Sequence, residues 1–320
     1  MSKGNFLKLA CFHPASIFCA WSVATGLVDT LNRMGHPTTG FSVDVTKSGI
    51  DPRQYPSAEQ LSEFDGILVS GPEHVRGHLL KLYPRWHKIS VPKVSWMHET
   101  VEREDYGRMP LEEIREFANF TFCSAIQDEK YGLKWLPFGV DTEVFKPDWN
   151  QPKEYDAAFI GLIYPKRAAF LETLKPFLKG ITLKLGNVQV LDLSGVRIRE
   201  SAELYADNLR KIKVFVNLPS LSELVVTKVY EALACGTFLI TPTIPSQKNY
   251  DNILAHYYDP GKPGELAERI RFCLENEAQR VEATRACCEQ VHRLDRLELR
   301  CEALLEAFQG RTRAHSAGKK

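Results

Sequence analysis

The sequence predicts an α/β protein of two parallel-sheet domains facing across a cleft. Three observations carry that expectation. Short apolar runs alternate with helix-period patterns along most of the chain. A polar, proline-bearing stretch, "FKPDWNQPKEY" (Phe145 to Tyr155), interrupts the alternation, which then restarts. The 320 residues suit two domains, each large enough to bury its own core. The predicted division is an N-terminal domain over 1–148, a C-terminal domain over 149–310 and a basic, disordered tail over 311–320.

In the first domain "FLKLACF" (Phe6 to Phe12) reads as the opening strand. An apolar stripe from Ala20 to Met34 follows as its helix, stopped by Gly35. "GFSVDV", "GILVS", "KVSWMHE" and "FTFCSA" are four further strands, and "LPFGV" (Leu136 to Val140) a short sixth. In the second domain "YDAAFIG" (Tyr155 to Gly161) is a strand ending in glycine, and a helix runs from about Pro165 to Leu178. "ITLKLG", "KVFVNLP" and "TFLITP" are strands, with a helix between the last two. "PGELAERIRFCLEN" is an amphipathic helix, and one long helical pattern covers Ala278 to Phe308.

Composition excludes several classes. A formal net charge of +1 gives no global pull toward nucleic acid or membrane. Eight cysteines without a CxxC pair support neither a zinc site nor a thioredoxin-like site, and fit reduced thiols in the cytoplasm. His13 and Pro14 break the first apolar run, which favours a buried strand over a signal peptide. No apolar run is long enough to span a membrane. GxGxxG and Walker A loops are both missing, so no nicotinamide or P-loop chemistry is indicated, and no metal or other cofactor is expected.

The richest stretch is "LPSLSELVVTKVYEALACGTFLITP" (Leu218 to Pro242). Glu223 precedes a helix that begins near Val226 or Thr227, and Glu231 lies one turn inside it. The unpaired N–H groups of that helix start favour a diphosphate, with Thr227 adding a hydroxyl and Lys228 a charge. Glu231 is within reach of a ribose diol, which a carboxylate accepts from twice. Two carboxylates flanking a diphosphate match a nucleotide sugar. Two glutamates near a helix start also fit a merely solvated pair that favours the dipole.

Glu223 through Glu231 resembles the E-x7-E motif of retaining glycosyltransferases with the GT-B fold, which has two Rossmann-like domains. "LPFGVDTEVFKP" (Leu136 to Pro147) is similar to the segment leading out of that family's first domain. "FIGLIYPKR" (Phe159 to Arg167) resembles the first strand and loop of its donor domain. "TKVYEALACGTFLIT" is closest to the CgeB-like branch, where a basic residue stands three before the glutamate, as Lys228 does. The resemblance covers about Leu136 to Glu275. It implies a metal-independent glycosyltransferase acting with retention on a nucleotide sugar, a UDP-sugar foremost. By position it assigns Glu231 to the ribose and Glu223 to the transferred sugar. Arg167 or Lys166 would neutralise the diphosphate, and Gly161 would let the loop approach it. Ser222, Val226, Thr227 and Lys228 complete the donor set. Val226 replaces a glycine common in relatives, and Leu162 an arginine. A non-catalytic sugar-nucleotide or glycan binder is the alternative that these departures raise.

The first domain would then bind the acceptor, a glycan, a small molecule or a hydroxylated base of double-stranded DNA. His13 follows strand one, and His98 and Glu99 end "KVSWMHE"; each could orient or deprotonate an acceptor hydroxyl. "EHVRGHLLKLYPRWHKISVPK" (Glu73 to Lys93) carries Arg76, Lys81, Arg85, Lys88 and Lys93 with Tyr83 and Trp86 interleaved. Such a surface suits a polyanion. The same stretch also fits an amphipathic helix burying Val75, Leu79, Leu80 and Leu82. Asp141 reads as a turn cap.

Overall fold

The computed structural model describes residues 6–15, 20–44, 51–102, 111–186, 195–220, 224–244 and 255–310. In chain order the first unit holds β1 (Leu9–Pro14), α1 (Thr25–Arg33), β2 (Thr38–Val43), α2 (Ala58–Leu61) and β3 (Gly66–Ser70). It continues with α3 (Pro72–Leu82), β4 (Lys93–Met97), α4 (Leu111–Phe117), β5 (Phe120–Cys123) and β6 (Lys134–Trp135). All these strands are parallel, in the order β2-β1-β3-β4-β5-β6.

The second unit holds β7 (Tyr155–Ile160), α5 (Pro165–Leu174), β8 (Leu183–Gly186), α6 (Gly195–Arg210) and β9 (Ile212–Val216). Then come α7 (Thr227–Ala234), β10 (Phe238–Pro242), β11 (His256–Tyr258), α8 (Pro263–Glu275), α9 (Glu277–Leu294) and α10 (Leu297–Phe308). Its sheet is again parallel, ordered β11-β10-β9-β7-β8.

The inner strands β1, β3, β4, β9 and β10 are buried on both faces, which is why they read as apolar runs rather than alternations. Along β1, Leu9 and Cys11 join one apolar cluster while Ala10 and Phe12 join another with Val75, Leu79 and Trp86. The first of these clusters is continuous between the units: it runs from Leu68 and Trp96 through Phe138 and Phe145 to Ala206, Leu233 and Val291. Helix α10 returns to the first unit. Arg300 Nε donates to the Pro137 carbonyl at 2.9 Å, and Phe308 closes over Gly66. Between α6 and α1, Arg199 meets Asp29 at 3.1 Å.

Several expectations are corrected. "LPFGV" is not a strand; the sixth strand is Lys134–Trp135, and of 136–140 only Val140 makes an isolated bridge, to Arg296. The long helical pattern over Ala278–Phe308 is two helices. Asp295 ends α9, its carboxylate takes a hydrogen bond from Arg300, and the chain turns at Arg296. The helix from Pro165 stops at Leu174, because Pro176 cannot donate to a continuing α-ladder, and a 3₁₀ turn follows. Helix α6 and strand β11 have no counterpart in the sequence reading. The expected tail lies outside the described residues.

Candidate functional site

In each sheet the strand order reverses beside the first strand, between β1 and β3 and between β7 and β9. Ligands of open parallel sheets bind beyond the carboxyl ends of the strands at such points. The sequence-derived candidates divide between these two places.

On the second sheet, Gly161 follows β7 and α7 follows β9. Val226 caps α7 in an extended conformation with no side-chain hydrogen bond; the Val229 N–H turns back to the Val226 carbonyl at 3.0 Å, while the Thr227 and Lys228 N–H groups make no bond among the described residues. Thr227 and Lys228 are partly buried in that first turn. The Lys228 amine lies 3.5 Å from the Ile160 carbonyl oxygen and 5.0 Å from the Phe159 ring centre. Gly161 is held by its N–H to the Gly186 carbonyl at 2.9 Å. A Cβ there would stand 2.5 Å from Lys228 Nζ and 2.8 Å from Phe159 Cζ, so glycine is what lets the two strand exits close up.

Glu231 is 2% exposed. Its carboxylate has no hydrogen-bond or ion-pair partner among the described residues, and Lys228, one turn earlier, is the charge that acts on it. Burial pushes the Glu231 carboxyl up to about 8, which Lys228 partly offsets. Burial, with Arg167 nearby, pulls the Lys228 amine down to about 7. An enclosed carboxyl and amine of opposite sign thus stand at a helix start without a joining bond.

Arg167 is buried and heavily engaged. Its Nε donates to the Pro219 carbonyl at 3.0 Å, its Nη1 to the Leu162 carbonyl at 2.8 Å, and its guanidinium lies over Phe159 and Tyr164 at 5.0 and 4.5 Å. It ties the β7 exit to the β9 exit. Tyr164 reinforces this by donating to the same Pro219 oxygen at 2.9 Å. Lys166 is exposed, 3.4 Å from the Ser220 carbonyl. Ser222 and Glu223 lie outside the described residues.

On the first sheet His13, Ser70 and His98 meet at the strand exits. The Ser70 hydroxyl donates its one hydrogen to the Val23 carbonyl at 2.6 Å, so at 2.9 Å it accepts from His98 Nε2. His98 therefore carries its proton on Nε2 and its lone pair on Nδ1. Burial, with His74 and His13 nearby, holds His98 well below the ordinary histidine range and keeps it neutral. His13 is pulled down to about 4 by burial, and the Pro14 carbonyl, 3.2 Å from Nδ1, partly opposes this. Glu99 is partly buried beside them. Sequence reasoning passed over Ser70 and counted Glu73 only as an acid in a basic stretch. The Gly-Pro-Glu run directly after a strand was the available signal, because it places a carboxylate in the first turn of a helix at a sheet exit.

The basic stretch is corrected in part. Tyr83 and Trp86 face inward; Trp86 stacks on Phe117 at 5.1 Å and donates to its carbonyl at 2.7 Å. Lys93 is buried, donating to the Ile89 carbonyl. Arg76 pairs with Glu113. Leu80 is exposed rather than packed. Lys81, Arg85 and Lys88 are exposed, but α3 starts at the carboxyl edge and runs back about 16 Å, so they sit at the opposite edge of the sheet. Asp141 caps its turn through the Glu143 N–H, as expected. It also accepts from Trp21 at 2.9 Å and Arg33 at 2.7 Å, which anchors the linker.

With this geometry in hand, residues 167–306 match the family model described as "Glycosyl transferase-like". Solved structures give the fold of the whole. A sucrose-phosphate synthase from Thermosynechococcus elongatus is 14% identical with a TM-score of 0.63, covering 95% of this chain and 99% of its own. Anabaena HepE in complex with UDP and glucose is 12% identical at a TM-score of 0.62, covering 95% and 99%. An alpha-glucosyltransferase in complex with UDP-glucose and DNA containing an abasic site is 12% identical at 0.61, covering 95% and 100%. Comparison with curated proteins returns no match. The fold is GT-B, and the matched stretch contains the whole of α7 with Lys228 and Glu231. Among the described residues no helix is long and apolar enough to cross a membrane.

Proposed function

We propose that the protein is a retaining, metal-independent glycosyltransferase that moves a sugar from a nucleotide sugar, a UDP-sugar, to a hydroxyl acceptor. The observation that carries this is Glu231, a buried carboxylate without a partner among the described residues, beside Lys228 and a helix start with no side-chain cap. A ribose diol satisfies Glu231, and a diphosphate satisfies both Lys228 and the first-turn N–H groups of α7. The neighbours solved with UDP or UDP-glucose support the donor class.

The chemistry follows from the charges. As the anomeric bond breaks, its electron pair leaves with the diphosphate, and negative charge grows where Lys228 and the α7 dipole point. Donors fixed in advance toward that charge lower the barrier by about 3 kcal/mol each in comparable sites. The acceptor oxygen bonds to the oxocarbenium-like carbon from the face the diphosphate leaves, and its proton passes to a neutral base. His98, uncharged with a lone pair on Nδ1, is the described candidate, with His13 and Glu99 beside it. Glu223 is assigned to the transferred sugar by its motif position.

One observation favours the alternative of a non-catalytic binder. Arg167 spends two of its donors on backbone carbonyls, which leaves less of it for a leaving diphosphate. Two measurements decide. Thermal stability is followed with UDP-, GDP-, ADP- and TDP-sugars, since a ligand of the folded state raises apparent stability by mass action. Free sugar is then assayed from the donor that binds. Stabilisation with release supports the enzyme, stabilisation without release under any acceptor supports the binder, and no stabilisation by any nucleotide sugar rejects both.

A further inference from the structure

We propose that Glu73 is a positioning residue of the acceptor side, working as a neutral carboxylic acid that sets the exit of β4 and keeps His98 in its basic tautomer. The inference rests on the sugar-transfer crevice described above and extends it to a residue that neither motif nor family match assigns.

Glu73 stands in the first turn of α3, immediately after the β3 exit. Gly71 leads into that helix at φ +65°, a left-handed turn, and Pro72 fixes the next φ. This sharp turn drives the Glu73 side chain under the neighbouring strand exit, where it is 8% exposed. Oε1 accepts the backbone N–H of His98 at 2.7 Å. Oε2 is buried with no hydrogen-bond partner. A charged carboxylate with one bare oxygen would carry a large desolvation cost there. Burial pushes the Glu73 carboxyl up to about 8; Glu99 adds to this, and the amides of Glu73, His98 and Glu99 work against it.

The groups facing it are drawn from every neighbouring exit. His74 Nε2 on α3 is 3.6 Å from Oε1, His98 and Glu99 leave β4, and His13 ends β1. Were Glu73 ionised, it would draw a proton onto His74 or His98. His98 would then lose the lone pair that an acceptor hydroxyl needs. Held neutral, Glu73 keeps the floor of the crevice uncharged, while Ser70 fixes the Nε2–H tautomer.

The test uses the full chain with ¹⁵N-histidine NMR from pH 5 to 9.5, on wild type, Glu73→Gln and Glu73→Ala, with melting temperature to confirm folding. Wild-type His98 is expected to stay neutral as the Nε2–H tautomer, with signals that shift around pH 8 as Glu73 loses its proton. Glu73→Gln, which keeps an oxygen for the His98 N–H, should retain the tautomer and lose that inflection. Glu73→Ala should give a mixed tautomer, or a His98 that titrates near 6.5. An inflection near pH 8 that persists in Glu73→Gln, or a His98 unchanged in Glu73→Ala, overturns the proposal. Should Glu73→Ala fail to fold, the Gln comparison decides alone.

A second arm measures UDP release from UDP-glucose. Glu73→Gln should keep the wild-type rate at pH 7, whereas Glu73→Ala should lose about 100-fold in kcat with KM little changed, the scale of a misplaced reacting group. A Glu73→Gln rate as low as that of Ala would mean that Glu73 works ionised, and the proposal falls. If wild type neither binds nor hydrolyses any nucleotide sugar, the functional reading fails, while the NMR arm still decides the role of Glu73.

Discussion

The two strand-exit crevices solve the same electrostatic problem in opposite ways. Both enclose ionisable groups that burial drives toward neutrality. On the first sheet most of these groups are joined: His98 donates to Ser70, Ser70 donates to Val23, and Glu73 Oε1 holds the His98 amide, with only Glu73 Oε2 left bare. On the second sheet Lys228 and Glu231 sit one turn apart with no bond between them, beside a helix start that has no side-chain cap. The first crevice is largely tied together by its own side chains. In the proposed reading the second is completed by a ligand that brings negative charge and hydroxyls. Under the proposed function, pre-organisation at a base and incompleteness at a binding site are separate uses of burial within one fold.

The largest break in this comparison should come from Glu231. Glu231→Ala removes both acceptors for a diol, and nucleotide-sugar affinity by titration calorimetry should fall about 100-fold or more, the scale of two hydrogen bonds to a charged group. An unchanged affinity would place the nucleotide elsewhere. Lys228→Met should cost turnover more than affinity, because charge on the diphosphate grows as the bond breaks.

Proton linkage sharpens the contrast next. In the proposed site, bound donor needs Lys228 charged and Glu231 ionised. Without ligand the amine titrates near 7 and the carboxyl near 8. Below about pH 7 Glu231 must lose a proton on binding, so affinity falls as pH drops. Above about pH 8 Lys228 must gain one, so affinity falls as pH rises. Between the two the proton passes within the pair, and affinity is flat. Calorimetry in buffers of different ionisation enthalpy should therefore find proton release near pH 6 and uptake near pH 9. Uptake or release of one sign throughout would sink this account of the pair.

For stability the signs separate. The raised Glu231 carboxyl stabilises the fold below its unfolded value and loses that contribution as pH climbs toward 8. The depressed Lys228 amine costs stability below about 7, a cost relieved as pH rises toward its unfolded value.

On the first sheet, Ser70→Ala should leave donor affinity intact and lower turnover about tenfold through loss of the His98 tautomer, a modest share of a general-base effect. The smallest effect belongs to the far edge of the first sheet. Substituting Lys81, Arg85 and Lys88 together by alanine should leave donor hydrolysis unchanged. If duplex DNA binds there at all, its affinity should fall with a shallower salt dependence. A loss of hydrolysis in that triple variant would contradict the placement of these residues away from the crevice.

Much of the fold was legible in the sequence because parallel strands buried on both faces leave unbroken apolar runs. "GILVS" became β3 over the same residues, and the first expected strand became β1 with a shift of its ends. Helix α7 begins at Thr227, one of the two starts read from the sequence. What failed had local signals that tertiary contacts overrode. The Asp295–Arg296 break is set by Arg300 reaching back to Asp295 and to the carbonyls at Pro137 and Phe138. Tyr83 and Trp86 sit in a basic run yet face inward, because they join the buried cluster around Phe12 and Phe117, where Trp86 stacks on Phe117 and donates to its carbonyl. Arg167 sits at the position the motif resemblance gave it, but its hydrogen bonds run to backbone carbonyls of Pro219 and Leu162, which a sequence does not show as neighbours.

By itself the sequence determined two parallel sheets, a helix start after the third strand of the second, and the identity of Lys228 and Glu231 within it. These follow from periodicity and short-range spacing, which act within a few residues along the chain. Only the tertiary structure decided which ionisable groups are buried, which are satisfied, and which tautomer His98 holds. Those properties depend on desolvation and on partners tens of residues away, as Ser70 is from His98 and Glu73 is from the amide it holds.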